Sequence, residues 1–212
     1  MNKYFLAFTL LFSSSFCFAQ IKAVTETGDE VILFEDGTWK YADTSKKNNI
    51  AITTNSKTFT KSNNATFLLK STKANFGVWL DTKKWQFNKG ENNEDAEYEL
   101  SFKGKDLYAM MIIEKVEIPL ESLANIAFDN AKKVSTDIKL IKKEYRMVNN
   151  KKMLFMQMNG TMQGVKFSYY GYYYSQENGS IQFVTYTSQN LIAQYANDAE
   201  ELLNGLVETA AN

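Results

Sequence analysis

GVKFSYYGYYYSQENGSIQFVTYTS, residues 164–188, reads as two β-runs joined by a turn. Residues 165–175 and 181–187 are rich in Val, Phe, Tyr, Ile and Thr, the residues that fit a pleated, half-buried surface. Glu177-Asn178-Gly179-Ser180 between them has the chemistry of a tight turn. Two more β-runs precede this hairpin, 138–148 and 153–162, with Asn149-Asn150-Lys151 and Gln163-Gly164 as their connections. Four consecutive strands joined by short turns must run antiparallel, because a parallel neighbour needs a long crossover.

On either side of this block the periodicity changes from two to 3.6. Pro119 opens a helix with Glu121 in its first turn, and Leu120, Leu123, Ala124, Ala127, Phe128, Ala131 and Val134 form one apolar stripe. Residues 135–137 end it. After the block, Ser188 is placed to cap a second helix, 189 to about 206, whose stripe is Leu191, Ile192, Tyr195, Ala199, Leu202, Leu203 and Leu206. Upstream, 75–80 and 85–87 read as strand segments about a turn at 81–84, followed by a polar loop, 88–95. Residues 96–103 and 107–118 are then β-runs separated by Gly104-Lys105-Asp106. Two amphipathic helices need a sheet face to cover. The expected class is α+β, an antiparallel sheet of about six strands with two amphipathic helices packed on it.

The N-terminal third reads differently. Residues 1–19 have the form of a secretory signal peptide: Lys3, an apolar run, a serine cluster, and small residues before a cut ahead of Gln20. The rival reading, a lipoprotein acylated at Cys17, meets Phe16 where a small residue is wanted. Cleavage removes the single cysteine of the 212-residue chain, so no disulfide, zinc thiolate or cysteine nucleophile remains. Residues 20–41 carry two turn signals among β-formers and read as a small β-hairpin segment with Trp39 and Tyr41 as anchors. Residues 42–66, dominated by Ser, Thr, Asn and Lys, read as a polar linker to the main domain, 67–208, and residues 209–212 as a tail. No segment after the leader is long and apolar enough to span a membrane. The expected location is periplasmic or secreted.

Composition narrows the chemistry. There are 24 basic and 24 acidic side chains and no histidine. Imidazole-based triads and metal sites are thereby excluded, and a balanced charge argues against nucleic acid as a partner. Tyr169 to Tyr174, interrupted by Gly171, give the strongest binding signal. Alternation places Tyr170, Tyr172 and Tyr174 on one face as a rigid amphipathic contact row, and Phe167, Tyr169 and Tyr173 on the other, where Gly171 leaves a notch. The competing account of all these rings is packing beneath helices and neighbouring strands.

Other groups read more plainly. Glu91, Glu94, Asp95, Glu97 and Glu99 lack the spacing of a Ca²⁺ loop and suit a solvated loop and strand. Glu114 and Glu117, three apart on one presumed strand, face opposite sides, which is awkward for paired acid–base work. Met110, Met111, Met147, Met153, Met156, Met158 and Met162 suit core packing better than Cu(I) without histidine or cysteine nearby. No catalytic residue, metal or cofactor is assigned.

The order of elements, opening with FGVWLDTKKWQF (76–87) and closing with EELLNGL (200–206), resembles the PsbP/DcrB-like fold family over about residues 75–208. GDEVILFEDGTWKY (28–41) resembles a segment near the N-terminus of many exported Bacteroidetes proteins. The first resemblance implies a long antiparallel sheet between two helices and an accessory or binding role, with no catalytic residue carried over. The expected function is therefore an exported, non-enzymatic envelope protein that binds a protein partner or small ligand. The alternative is a carboxylate-dependent hydrolase acting on glycans or esters.

Overall fold

The structure, a computed structural model, describes residues 21–24, 30–34, 37–42, 52–91 and 93–210. The leader read at 1–19 lies outside the described residues. β1 (Ile21–Val24), β2 (Glu30–Leu33) and β3 (Trp39–Tyr41) form a small antiparallel sheet, matching the hairpin segment expected there.

Eight strands build the main sheet. In spatial order they are β4 (Thr53–Phe59), β10 (Lys139–Val148), β11 (Lys151–Met162), β12 (Val165–Gln176), β13 (Gly179–Ser188), β9 (Tyr108–Glu114), β8 (Ala96–Phe102) and β7 (Trp85–Lys89). Every neighbouring pair is antiparallel except β4 with β10. A second, three-stranded sheet has the order β14 (Leu206–Glu208), β6 (Phe76–Leu80) and β5 (Phe67–Lys70). Helix α1 (Leu120–Val134) and helix α2 (Ile192–Leu203) complete the α+β architecture.

Strand alternation splits the interior into two cores. Leu154, Met156, Met158, Tyr173 and Val184 meet Leu123, Ala124, Ala127 and Ala131 of α1 on one face of the main sheet. Phe155, Tyr172, Phe183, Met111 and Ile113 lie on the opposite face. They pack there with Tyr195, Ala199 and Leu202 of α2 and with Phe76, Val78 and Leu80 of the second sheet. The main sheet is therefore a middle layer between α1 and a layer shared by α2 and the small sheet. Of the methionines on its strands, Met111, Met153, Met156 and Met158 are core residues at 0–2% exposure, whereas Met147 and Met162, also expected in the core, are 41% and 47% exposed.

The main sheet has eight strands and is mixed, where about six antiparallel strands were expected. One addition, β4, comes from the polar stretch read as a linker. An edge strand needs only one paired side, and β4 meets that need with backbone bonds to β10 and a single buried anchor, Phe59. Asn55 adds a side-chain bond, donating from Nδ2 to Glu144 at 3.0 Å.

The closing helix also differs from expectation. It starts at Ile192 after Leu191, and Ser188 makes no cap; its hydroxyl instead bonds Asp106. It stops at Leu203 because Gly205 must lie flat on β6. Trp79 N donates to Gly205 O at 2.8 Å, and a Cβ at Gly205 would sit 2.0 Å from Trp79 O. Leu206, read as the last residue of the helical stripe, is the first of β14.

Candidate functional site

The tyrosine row expected to face outward is covered. Tyr172 is 0% exposed and Tyr174 8%, both beneath the α2 and small-sheet layer. Tyr172 Oη donates to Asn204 Oδ1 at 2.8 Å, and Tyr170 Oη to Glu200 Oε2 at 3.2 Å. Tyr174 Oη donates to Glu208. These hydroxyls reach residues on and just after α2, so the row holds the helix down and presents no open contact surface. Burial raises the phenols of Tyr172 and Tyr174 well above the usual tyrosine range. The notch expected at Gly171 is filled as well: a Cβ there would meet Val184 Cγ2 at 2.9 Å.

Beside this row lies an ion network that no sequence pattern announces. Arg146, 4% exposed, sits with its guanidinium 3.9 Å from the Phe155 ring centroid and 4.6 Å from that of Phe59. Its Nε donates to Glu144 Oε1 at 2.7 Å, and its Nη1 to Glu200 Oε2 at 2.9 Å and Tyr172 Oη at 3.2 Å. Burial works against the charge on Arg146, but Tyr172, Tyr170 and Glu144 outweigh it and hold its pKa up. Burial likewise opposes the Glu144 carboxylate, and bonds from Asn55, Lys142 and Arg146 overcome that and hold its pKa down. The network joins β4, β10, β12 and α2.

The most exposed aromatic side chain of the main sheet, Tyr108, is on the opposite face. Helix α1 packs over β11, β12 and β13, and the same face of the sheet continues past it onto β9, β8 and β7. On this open half, Tyr169, Tyr186 and Tyr108 stand directly opposite one another across β12, β13 and β9. Tyr108 and Tyr186 are stacked, with centroids 5.5 Å apart and planes 25° from parallel. Tyr169 meets Tyr186 edge-on at 6.2 Å. The same cross-strand row runs on through Ser101 to Gln86, whose Nε2 donates to Ser101 Oγ at 2.9 Å.

Tyr108 is 38% exposed, while Tyr169 and Tyr186 are half-buried. Because the stacked pair occupies adjacent strands, its rings stand on edge and offer their rims, hydroxyls and the outer ring face of Tyr108. Burial, together with Glu99 and the neighbouring tyrosines, pushes the Tyr186 phenol up to about 12. Glu99, one rung along β8 opposite Met110, accepts a bond from Asn93 N at 2.9 Å. At the other end Ser188 donates to Asp106 Oδ2 at 3.3 Å, next to an open cleft of about 460 Å³ lined by Val165, Lys166, Ser188, Gln189 and Asn190.

Most of the acidic residues singled out in the sequence lie elsewhere. Glu97 is bonded by Ser71 Oγ and by Thr72 N and Oγ1, and so ties β8 to the end of β5. β9 ends at Glu114, so Glu117 lies beyond the strand, and both are exposed. Among the described residues no three of His, Cys, Asp and Glu converge as a metal site.

Tyr186 was within reach of sequence reasoning. Counting back from the Glu177-Asn178 turn pairs it with Tyr169. Tyr108 was not, because β9 joins β13 from far away in the chain.

No protein-family model matches the chain, and no curated protein is similar to it in sequence. The solution structure of cyanobacterial PsbP from Synechocystis sp. is similar in fold, with a TM-score of 0.51 at 9% identity, covering 67% of this chain and 91% of that one. A crystal structure from Bacteroides thetaiotaomicron aligns with a TM-score of 0.43 at 13% identity, over 68% of this chain and 48% of that one. A Pseudomonas aeruginosa protein of unknown function aligns with a TM-score of 0.44 at 10% identity, over 68% of this chain and 98% of that one. The chain has a PsbP-like fold, in agreement with the order of elements read from its sequence.

Proposed function

We propose that the protein is an exported, non-enzymatic accessory module of the cell envelope that binds a partner protein through the open half of its main sheet, centred on Tyr108 and Tyr186. The observation that carries this reading is the ladder Tyr169–Tyr186–Tyr108, three aromatic side chains in register on a face that α1 leaves partly uncovered. Tyrosine offers large, rigid, amphipathic contact area at little entropic cost, which is why it is enriched where binding energy concentrates. A flat, ribbed face suits a protein partner better than a small molecule, whose sites are concave and enclose most of the ligand. The space between α2 and the sheet is occupied by Phe155, Tyr170 and Tyr172.

Export is supported by the form of residues 1–19, and no helix among the described residues is long and apolar enough to cross a membrane. In this reading Tyr170, Tyr172 and Tyr174 serve binding indirectly, by fixing α2 to the back of the sheet that carries the ladder.

The test is purification of the protein from its own host's envelope under gentle conditions, with native mass spectrometry of what accompanies it. A stoichiometric protein partner is expected with the unaltered chain and absent with a Tyr108→Ser, Tyr186→Ser double variant of unchanged circular dichroism. Retention of the same partner by that folded double variant would refute the assignment.

A further inference from the structure

The open face carries more than aromatic rings, and its charge distribution specifies what kind of partner it fits. Among residues of β7, β8, β9 and β13, alternation turns three charged side chains to the side of the ladder, Glu97, Glu99 and Glu114. Of these Glu97, at the irregularity between Ala96 and Tyr98, is taken up by Ser71 and Thr72. Gln86, Asn88, Ser101 and Gln182 supply its polar remainder. The strand lysine nearest in sequence, Lys89, has the opposite parity, and Lys103 is turned away to donate to Thr82 O at 2.8 Å. Asp106 stands at the end of the ladder, held by Ser188, with Lys105 and Lys166 at the rim beyond it.

The chain's own habits supply the second argument. Several of its aromatic faces are paired with its own cations: Arg146 with Phe155 at 3.9 Å, Lys152 with Tyr145 at 3.8 Å and Lys132 with Phe128 at 4.3 Å. Among the described residues no lysine or arginine lies over Tyr108, Tyr169 or Tyr186. An aromatic ladder without a cation, flanked by carboxylates, is complementary to a cation brought from outside.

We infer that the open face takes a basic segment of a partner protein, with a guanidinium or ammonium group stacked on the outer ring face of Tyr108 and neutralised by Glu99 and Asp106. This rests on the open face being the contact surface. The negative potential of Glu99 at Tyr186, which helps to hold that phenol protonated, is the field the incoming cation would meet. Each cation of the segment adds its own attraction to these carboxylates, and binding should weaken as salt screens it.

The experiment uses the mature chain carrying 3-fluorotyrosine, titrated with hexa-arginine and with hexa-glutamate and followed by ¹⁹F NMR. Tyr→Phe variants assign the signals. Hexa-arginine is expected to shift the Tyr108 and Tyr186 resonances, hexa-glutamate to leave them in place. Glu99→Gln, which keeps an oxygen for Asn93 N, is expected to weaken binding about two- to fivefold, the range of one exposed charge pair. Shifts that miss Tyr108 and Tyr186, equal response to both peptides, or indifference to Glu99→Gln each overturn the inference. Applied to the partner recovered from the envelope, the same variants separate the two readings. Loss with Tyr108→Ser, Tyr186→Ser but indifference to Glu99→Gln and to salt keeps the contact surface and removes the basic partner. Persistence in the tyrosine double variant removes both.

Discussion

Arg146 shows how much one residue can carry without any local sequence signal. It sits mid-strand in KLIKKEYRMV, where a lysine-rich run suggests a solvated edge, yet it is 4% exposed. The partners that make its burial tolerable, Phe59, Tyr172 and Glu200, come from β4, β12 and α2. Removing one member of a buried ion pair leaves the other uncompensated, at a cost of about 3–5 kcal/mol. Arg146→Ala is therefore expected to lose stability in that range by urea denaturation. An Arg146→Met, Glu144→Gln pair, which removes both charges, should lose much less.

A second residue has a pH signature. Asp137, just past α1, accepts bonds from Ser135 Oγ at 2.6 Å and Thr161 N at 2.8 Å, and these hold its carboxyl down to about 2 from 3.8. A lowered folded-state value means the contribution is complete above the unfolded value and lost as pH falls through about 2. Asp137→Asn should flatten the acid limb of the stability curve between about pH 4 and 2 while leaving pH 7 to 9 parallel to the unaltered protein.

At the scale of elements, local pattern was a reliable guide where an element is long and its partners are adjacent. α1 runs from Leu120 to Val134, behind the Pro119 that announced it. β10 to β13 match the four runs read around the tyrosine hairpin, to within two residues at each end. β4 and β14 were missed because each is held by pairing with a strand remote in sequence, and β5 because its four residues, paired with the neighbouring β6, are too few to show a period. The end of α2 is a sharper case. Gly205 lies so close to Trp79 that any side chain forces the backbone apart, and overpacking of this kind costs about 1–3 kcal/mol. Gly205→Ala is expected to lower the melting temperature and to expose β14 to hydrogen exchange before the main sheet.

At the scale of the molecule, the three layers decide which tyrosines meet solvent. Among the tyrosines of residues 67–208, mild nitration with tetranitromethane should modify Tyr108 first, with Tyr172 and Tyr173, at 0% and 1% exposure, protected until unfolding. Early modification of Tyr172 or Tyr174 would mean that α2 does not cover the sheet as described.

The sequence by itself determined the α+β class, the antiparallel central strands, both helices and the division of the tyrosine strand into two rows. All of these follow from periodicity and turn chemistry acting over a few residues. It could not determine which row is covered. A strand presents two nearly equivalent faces, and the choice between them depends on where α2 and the β5–β6–β14 sheet come down, through contacts between residues far apart in the chain. Tertiary structure made that choice, burying Tyr172 and Tyr174 and half-burying Tyr170 to hold α2 and β14, and bringing Tyr108 beside Tyr186 on the other side.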